Sequence, residues 1–348
     1  QERVAELIAS AERRIREAHE AVTTRGELGA DPLAEGRVLV RFGAGGICGS
    51  DLHYFAHGKT GNFVVTEPLI LGHEIAGEVA EVIGPAPENG IKVGDRVAVD
   101  PNIYCGQCEY CLTQRPELCD HLSAVGVTRD GGLAEQFTAP ATVVYALPDN
   151  VSLRDAAAIE PVSCAVHGLD LLKLHPYQKA LVIGDGFMGQ IFAQLLQAYG
   201  VHRVDLAGIF DEKLERNKSQ FGVTETYNTT CEQIPSEAYD VIIEAVGLPA
   251  TQAQAISAAK KGAQVLMFGV GPQEAHFEMN TYDIYKKQLT IQGSFINPLT
   301  FRDAISLVSS GKMNIGGLIS HELGLEEVQD FLDGKISGVS KAVVAIGD

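Results

Sequence analysis

The sequence lacks an excess of positive charge and a long apolar run, and each absence narrows what the protein can be. Against 45 acids there are only 27 bases, a net charge of −18. Nucleic-acid partners need a basic footprint for their phosphates, so none is expected. The acidity favours solubility and otherwise says little. No run approaches the roughly 18 apolar residues of a membrane helix, so no membrane partner is expected. Residues 1–20 are charged throughout and have no apolar centre of the secretory kind. No internal repeat, low-complexity tract or flexible linker interrupts the chain.

What is present is ordinary globular composition, 45% hydrophobic and 21% charged. A chain of 348 residues has room for two domains, each with its own core. Four of the seven cysteines fall within 105–119. That clustering suits metal ligands in a reducing compartment better than a disulfide framework, which points to the cytoplasm.

Patterning changes along the chain. Val4, Leu7, Ile8, Ala11, Ile15 and Ala18 have helical spacing, so 2–20 reads as an amphipathic helix. Arg37–Phe42 alternates as a half-buried strand, and Ile75–Val82, Arg96–Val99, Leu133–Thr138 and Val143–Leu147 follow between Gly and Pro, as in a small β domain with long loops. From about residue 157 strand and helix take turns. Strands are expected at Ala180–Ile183, Val204–Ile209, Val241–Ala245, Gln264–Phe268 and Leu289–Gly293, with helices to Tyr199, at Glu212–Phe221 and at 250–261. That alternation means βαβ units and a buried parallel sheet.

Three constellations carry chemistry. Cys48, His73 and Glu74, with Glu160 far along the chain, supply the thiolate, imidazole and carboxylate of a catalytic zinc that keeps one position open. Ser50 and His53 lie among them and can pass a proton. Cys105, Cys108, Cys111 and Cys119 can close a tetrahedral structural zinc. Gly184-Asp185-Gly186-Phe187-Met188-Gly189 follows an apolar strand and opens an apolar helix, the setting of a dinucleotide fingerprint. The acid that grips the adenosine ribose is expected roughly 20 residues on, and there stands Gly208. That tilts toward NADP, with Lys213 and Arg216 within reach of the loop, while Asp205 and Asp211 keep NAD open. Isolated Cys164 and Cys231 read as core residues, and His57 as surface or substrate rim.

Together these motifs resemble the zinc-containing medium-chain alcohol and polyol dehydrogenases, from about residue 37 to the end. The quoted segments are Gly-Ile-Cys-Gly-Ser-Asp-Leu-His at 46–53, Leu-Gly-His-Glu at 71–74, the cysteine lobe and the glycine turn. The stretch Gly49–Gly77 and the glutamate at 160 look closest to L-idonate 5-dehydrogenases and sorbitol-type enzymes. The resemblance implies a fold that is α/β plus β. A GroES-like catalytic domain with the zinc lobe (1–157) would precede a Rossmann dinucleotide-binding domain (158–298), and 299–348 would return to the catalytic domain. It implies two Zn²⁺, one catalytic and one structural, and NAD or NADP.

By position, Cys48, His73 and either Glu74 or Glu160 would hold the catalytic zinc, the other glutamate contacting it or its water. Asp51 would orient His73. Ser50 and His53 would relay the alcohol proton outward through the cofactor ribose. Val270 and Phe295 would contact the nicotinamide side, and Lys341 the cofactor phosphates. The implied reaction is oxidation of a secondary hydroxyl of a polyol or sugar acid to a ketone. A simple secondary alcohol is the alternative substrate, and a non-catalytic nucleotide-binding homologue the alternative class. The family suggests a homodimer or homotetramer. Two departures stand out. Residues 1–36 do not look like the hairpin that usually opens the catalytic domain, unless Arg14–Ala21 is a strand in helix-forming residues. Ser294–Asn297 lacks the arginine that many polyol dehydrogenases place there.

Overall fold

The computed structural model describes residues 36–61 and 63–346. The helix expected at 2–20 and the alternative strand at Arg14–Ala21 lie outside the described residues. The chain forms two units, one of residues up to Glu160 together with those from Ile319, the other Pro161–Leu318.

In the first unit, β1 (Arg37–Ile47) pairs antiparallel along its whole length with β2 (Glu74–Ile83). Val38, Val40 and Phe42 alternate into the core, where they meet Ile75, Val79, Val97 and Val99. β3 (Arg96–Val99) continues the sheet beyond β2. β4 (Gln136–Pro140) covers the first half of the free edge of β1, and β5 (Val144–Ala146) pairs with β3. Between β1 and β2 lies α1 (Gly49–His57).

Helix α2 (Ile159–Asp170) leads into the second unit. Its parallel strands are β6 (Lys179–Ile183), β7 (Arg203–Gly208), β8 (Thr226–Asn228), β9 (Tyr239–Glu244), β10 (Ala259–Met267) and β11 (Thr290–Gly293). They lie in the order β8-β7-β6-β9-β10-β11. Numbered within this sheet that order is 3-2-1-4-5-6, the doubly wound dinucleotide-binding topology. The crevice where such sheets take ligands opens at the carboxyl ends of β6 and β9, where the winding reverses. The crossover helices are α3 (Phe187–Ala198), α4 (Asp211–Gln220) and α5 (Pro249–Ala258). The helix expected over 250–261 stops early, because Ala259 pairs with Tyr239 and begins β10.

In the division into units the return to the first falls at Leu318/Ile319, whereas the resemblance implies 298/299. Helix α6 (Phe301–Ser309) stays with the second unit for a physical reason. Thr300 and Asn297 hydrogen-bond Ser163 on α2, Phe301 is buried, and the Asn314 N–H donates to Gln194 on α3. Strands β12 (His321–Leu323) and β13 (Ala342–Ala345) then complete the seven-stranded first sheet, with β13 on the second half of β1.

Candidate active site

Three ladder ends meet at the rim of the first sheet. Gly46 pairs with Glu74 and Ile47 with Ala342. The register therefore brings together Cys48 just after β1, His73 and Glu74 at the start of β2, and Lys341 just before β13. Gly46 must be glycine, since a Cβ would overlap the Glu74 carboxylate. Ligand atoms of Cys48, His73 and Glu74 all lie within 4.8 Å of one another.

Cys48 is the N-cap of α1, and the Asp51 carboxylate three residues on accepts its N–H at 2.8 Å. Gly58 ends the helix in the left-handed region. The other Asp51 oxygen lies 3.5 Å from His73 Nδ1, both atoms buried and outside hydrogen-bond geometry. Burial opposes charging of His73, but the Asp51 carboxylate and the Cys48 thiol outweigh it and raise its pKa well above 6.5. Ser50 Oγ is 3.5 Å from His73 Nε2. His53, one turn further along α1, is exposed and stacks on exposed His57. Spacing of three residues puts Ser50 and His53 on one helix face, leading from the buried imidazole to solvent.

The Lys341 ammonium is turned to the Glu74 carboxylate. The residue is 5% exposed and also donates to Ile47 O at 3.2 Å. Burial disfavours its charge, yet Glu74, Cys48 and Glu160 more than offset that, so its pKa is raised. Glu160, in the first turn of α2, is thus near this charge cluster but is not one of the three mutually close ligand groups.

Cys105, Cys108, Cys111 and Cys119 form a second set with all sulfurs within 4.8 Å and no disulfide. Cys105 and Cys111 Sγ are 3.9 Å apart, against about 3.8 Å for tetrahedral Zn–S bonds of about 2.3 Å. Backbone N–H groups of Cys111 and Asp120 lower Cys108 to about 6, while burial and the neighbouring Cys108 push Cys111 up to about 12. Such a cluster holds four thiolates only with a cation among them, and it fits structural zinc. The isolated cysteines differ from expectation. Cys231 follows β8 and is exposed, and Cys164, on α2, is only half-buried.

In the second unit Gly184 (φ 124°) turns the chain out of β6. A Cβ at Gly189 would overlap the Gly184 carbonyl, so this glycine lets α3 pack on the strand. Space beside Gly186 is open, and Gly186 caps α3 without a side-chain bond. Phe187 and Met188 open the helix, where its N-terminus would meet a phosphate, and the turn fits a dinucleotide. Val270 is almost fully exposed after β10, and Phe295 half exposed after β11. Sequence reasoning set Gly208 at the ribose position and kept NAD open through nearby Asp205 and Asp211. Asp205 is buried mid-strand against Lys179 and Tyr239, and Asp211 accepts from Asn228. Lys213 lies over the Phe210 ring, and Arg216 bonds Gln190. The acid beside Gly208 is Asp185, which passed unnoticed as the variable position of the fingerprint.

A doubly wound nucleotide fold joined to a sheet that gathers a Cys–His–carboxylate centre and a thiolate centre defines a metal- and nucleotide-dependent dehydrogenase. Family models agree. Residues 34–149 match the alcohol dehydrogenase GroES-like domain and 188–310 the zinc-binding dehydrogenase domain. A sorbitol dehydrogenase of Bacillus subtilis is 32% identical over 85% of each chain. A structure described as a zinc-binding dehydrogenase of Sinorhizobium meliloti, bound to NADP, superposes with a TM-score of 0.85 at 32% identity, covering 92% of this chain and 94% of that one. An L-idonate 5-dehydrogenase of Escherichia coli shares the fold, with a TM-score of 0.82 at 24% identity over 89% and 91%. This chain belongs to the zinc-dependent medium-chain alcohol and polyol dehydrogenase family, and is an NAD(P)-dependent enzyme of that family.

Proposed function

We propose that the enzyme oxidises a secondary hydroxyl of a polyol or sugar acid to the ketone, and catalyses the reverse, with NAD or NADP carrying the hydride. The observation that carries this reading is the convergence of Cys48, His73 and Glu74 at one point, with the Ser50 hydroxyl beside His73. The sorbitol dehydrogenase relative supports a polyol as the substrate class.

Cys48 and His73 would hold the catalytic zinc. Lys341 already neutralises Glu74, which supports Glu160 as the third ligand with Glu74 beside it. When bound, zinc supplies the charge that brings a hydroxyl pKa from near 16 toward about 7. His73 ligates through Nε2 only when its proton is on Nδ1, and the buried Asp51 carboxylate facing Nδ1 holds it there. Ser50 accepts the substrate proton, and exposed His53 delivers it to water. The glycine turn at Gly184, Gly186 and Gly189, with Phe187 and Met188, receives the pyrophosphate. Val270 and Phe295 flank the nicotinamide. Hydride transfer is the cofactor's own chemistry, and the protein aligns it. A cytoplasmic location and a homodimer or homotetramer belong to the same reading. That none of the seven cysteines forms a disulfide supports the location, and light scattering on the purified chain would test the assembly.

Initial rates with sorbitol, xylitol, galactitol, L-idonate and 2,3-butanediol, each with NAD and NADP, test the reaction. Turnover of at least one polyol or aldonate is expected. Cys48→Ala should abolish it while nucleotide binding persists. Silence across the polyols and the aldonate from zinc-loaded protein that oxidises simple secondary alcohols would overturn the polyol assignment.

A further inference from the structure

Building on the nucleotide-binding reading above, we propose that Asp185, the second residue of the glycine turn, sets the cofactor preference toward NAD by placing its carboxylate where a side chain at 208 would stand. In dinucleotide folds the acid that accepts from the ribose hydroxyl projects from the end of the second strand. Here that position is Gly208, which by itself favours NADP. The space is not empty, however. A Cβ on Gly208 would overlap the Asp185 carboxylate. The first strand's loop thus supplies the carboxylate that the second strand lacks.

The group is held in place. Asp185 Oδ2 accepts from the N–H groups of Ile209 and Phe210, each at 2.8 Å, which pins it to the turn leaving β7. Gln190 Nε2 donates to the Asp185 carbonyl at 3.1 Å, fixing the backbone behind it. The side chain is 7% exposed, so water screens its charge poorly.

Charge around the turn points the same way. Asp211 and Glu212 open α4 within three residues of the pinned N–H groups. Both nearby cations are engaged elsewhere than on the Asp185 carboxylate: Arg216 donates to Gln190 Oε1 at 2.6 Å and lies over the Phe221 ring, and Lys213 lies over the Phe210 ring at 4.7 Å. A 2′-hydroxyl can donate to Asp185. A 2′-phosphate would bring further negative charge against a fixed carboxylate.

The test is calorimetric titration of the full zinc-loaded chain with NADH and with NADPH, which needs no turnover. NADH should bind at least tenfold more tightly. Asp185→Asn keeps an oxygen to accept both backbone N–H groups but removes the charge, and should narrow that ratio tenfold or more, chiefly by tightening NADPH. Asp185→Ser serves as a second variant should the first fold poorly, with the same narrowing expected. Equal or tighter NADPH binding by the unaltered protein overturns the proposal without any variant. An unchanged ratio in both folded variants also overturns it, while leaving nucleotide binding intact. Binding of neither nucleotide overturns the nucleotide-binding reading itself, and the role of Asp185 with it.

Discussion

Lys341 and Glu74 show what one pair of charges does to a metal site. Both are buried, in the two separate segments of the first unit's chain, and the sheet register brings them together. Removing one member of a buried ion pair strands the other, at a cost of roughly 3–5 kcal/mol. Lys341→Met should therefore destabilise the first unit by about that much in urea unfolding, and adding Glu74→Gln should recover most of it. A loss under about 1 kcal/mol in the single variant would mean the pair does not form. The raised lysine pKa fixes the sign of the pH dependence. The pair's contribution is complete below the ordinary lysine range and is lost only as pH rises through the raised value. Cys48, His73, Glu74 and the four-cysteine set were legible in the sequence because metal-binding residue types at short spacing are rare by chance. Lys341 was placed on the cofactor, since a partner 267 positions away leaves no local pattern. Asp185 escaped notice for the opposite reason, sitting inside a motif whose second position tolerates any residue.

Elements position these residues, and two of them can be tested against each other. Helix α1 was not expected, because Gly49, Ser50, Asp51 and His53 are weak helix formers. Only Asp51 at the third helical position and Gly58 at the end mark it. The Asp51 carboxylate has two tasks, capping the Cys48 N–H and facing His73. Asp51→Asn keeps an acceptor for the cap but loses the charge that orients the imidazole. Zinc affinity, measured by chelator competition, should fall roughly 10–100-fold with little change in unfolding midpoint. At the glycine turn the second and third glycines differ. Gly189→Ala drives a methyl into the Gly184 carbonyl and should destabilise the second unit by several kcal/mol, on the order of other overpacked sites. Gly186→Ala meets open space and should fold normally, yet weaken nucleotide binding because the methyl stands where pyrophosphate approaches. Equal effects on folding would show that the turn is not shaped for a ligand. Strands β6, β7, β9 and β10 were readable from apolar runs, whereas β8, with the sequence Thr-Tyr-Asn, carries no such signal and is held by pairing with β7.

For the whole molecule, the division of labour follows from where the ligand sets fall. Among the described residues both candidate metal clusters lie in the first unit, and the doubly wound sheet has its own apolar core around Leu181, Ile242 and Val265. The zinc lobe has little apolar core. It holds a two-residue ladder between Asn102–Ile103 and Ser123–Ala124 and single helical turns at Glu109–Leu112 and Pro116–Leu118, and of its four cysteines only Cys119 is buried. Its order therefore depends on the cation, since four thiolates without one repel each other. The nucleotide sheet has no such dependence. Chelator treatment should raise amide hydrogen exchange sharply across 102–124, lower the unfolding temperature of the first unit, and leave protection in β6, β7, β9 and β10 nearly unchanged. NADH affinity should also survive, because the glycine turn and Asp185 belong to the second unit. If stripping the metal instead deprotected both sheets together, the two units would have to unfold as one cooperative body, and the separate cores would not be separate sources of stability.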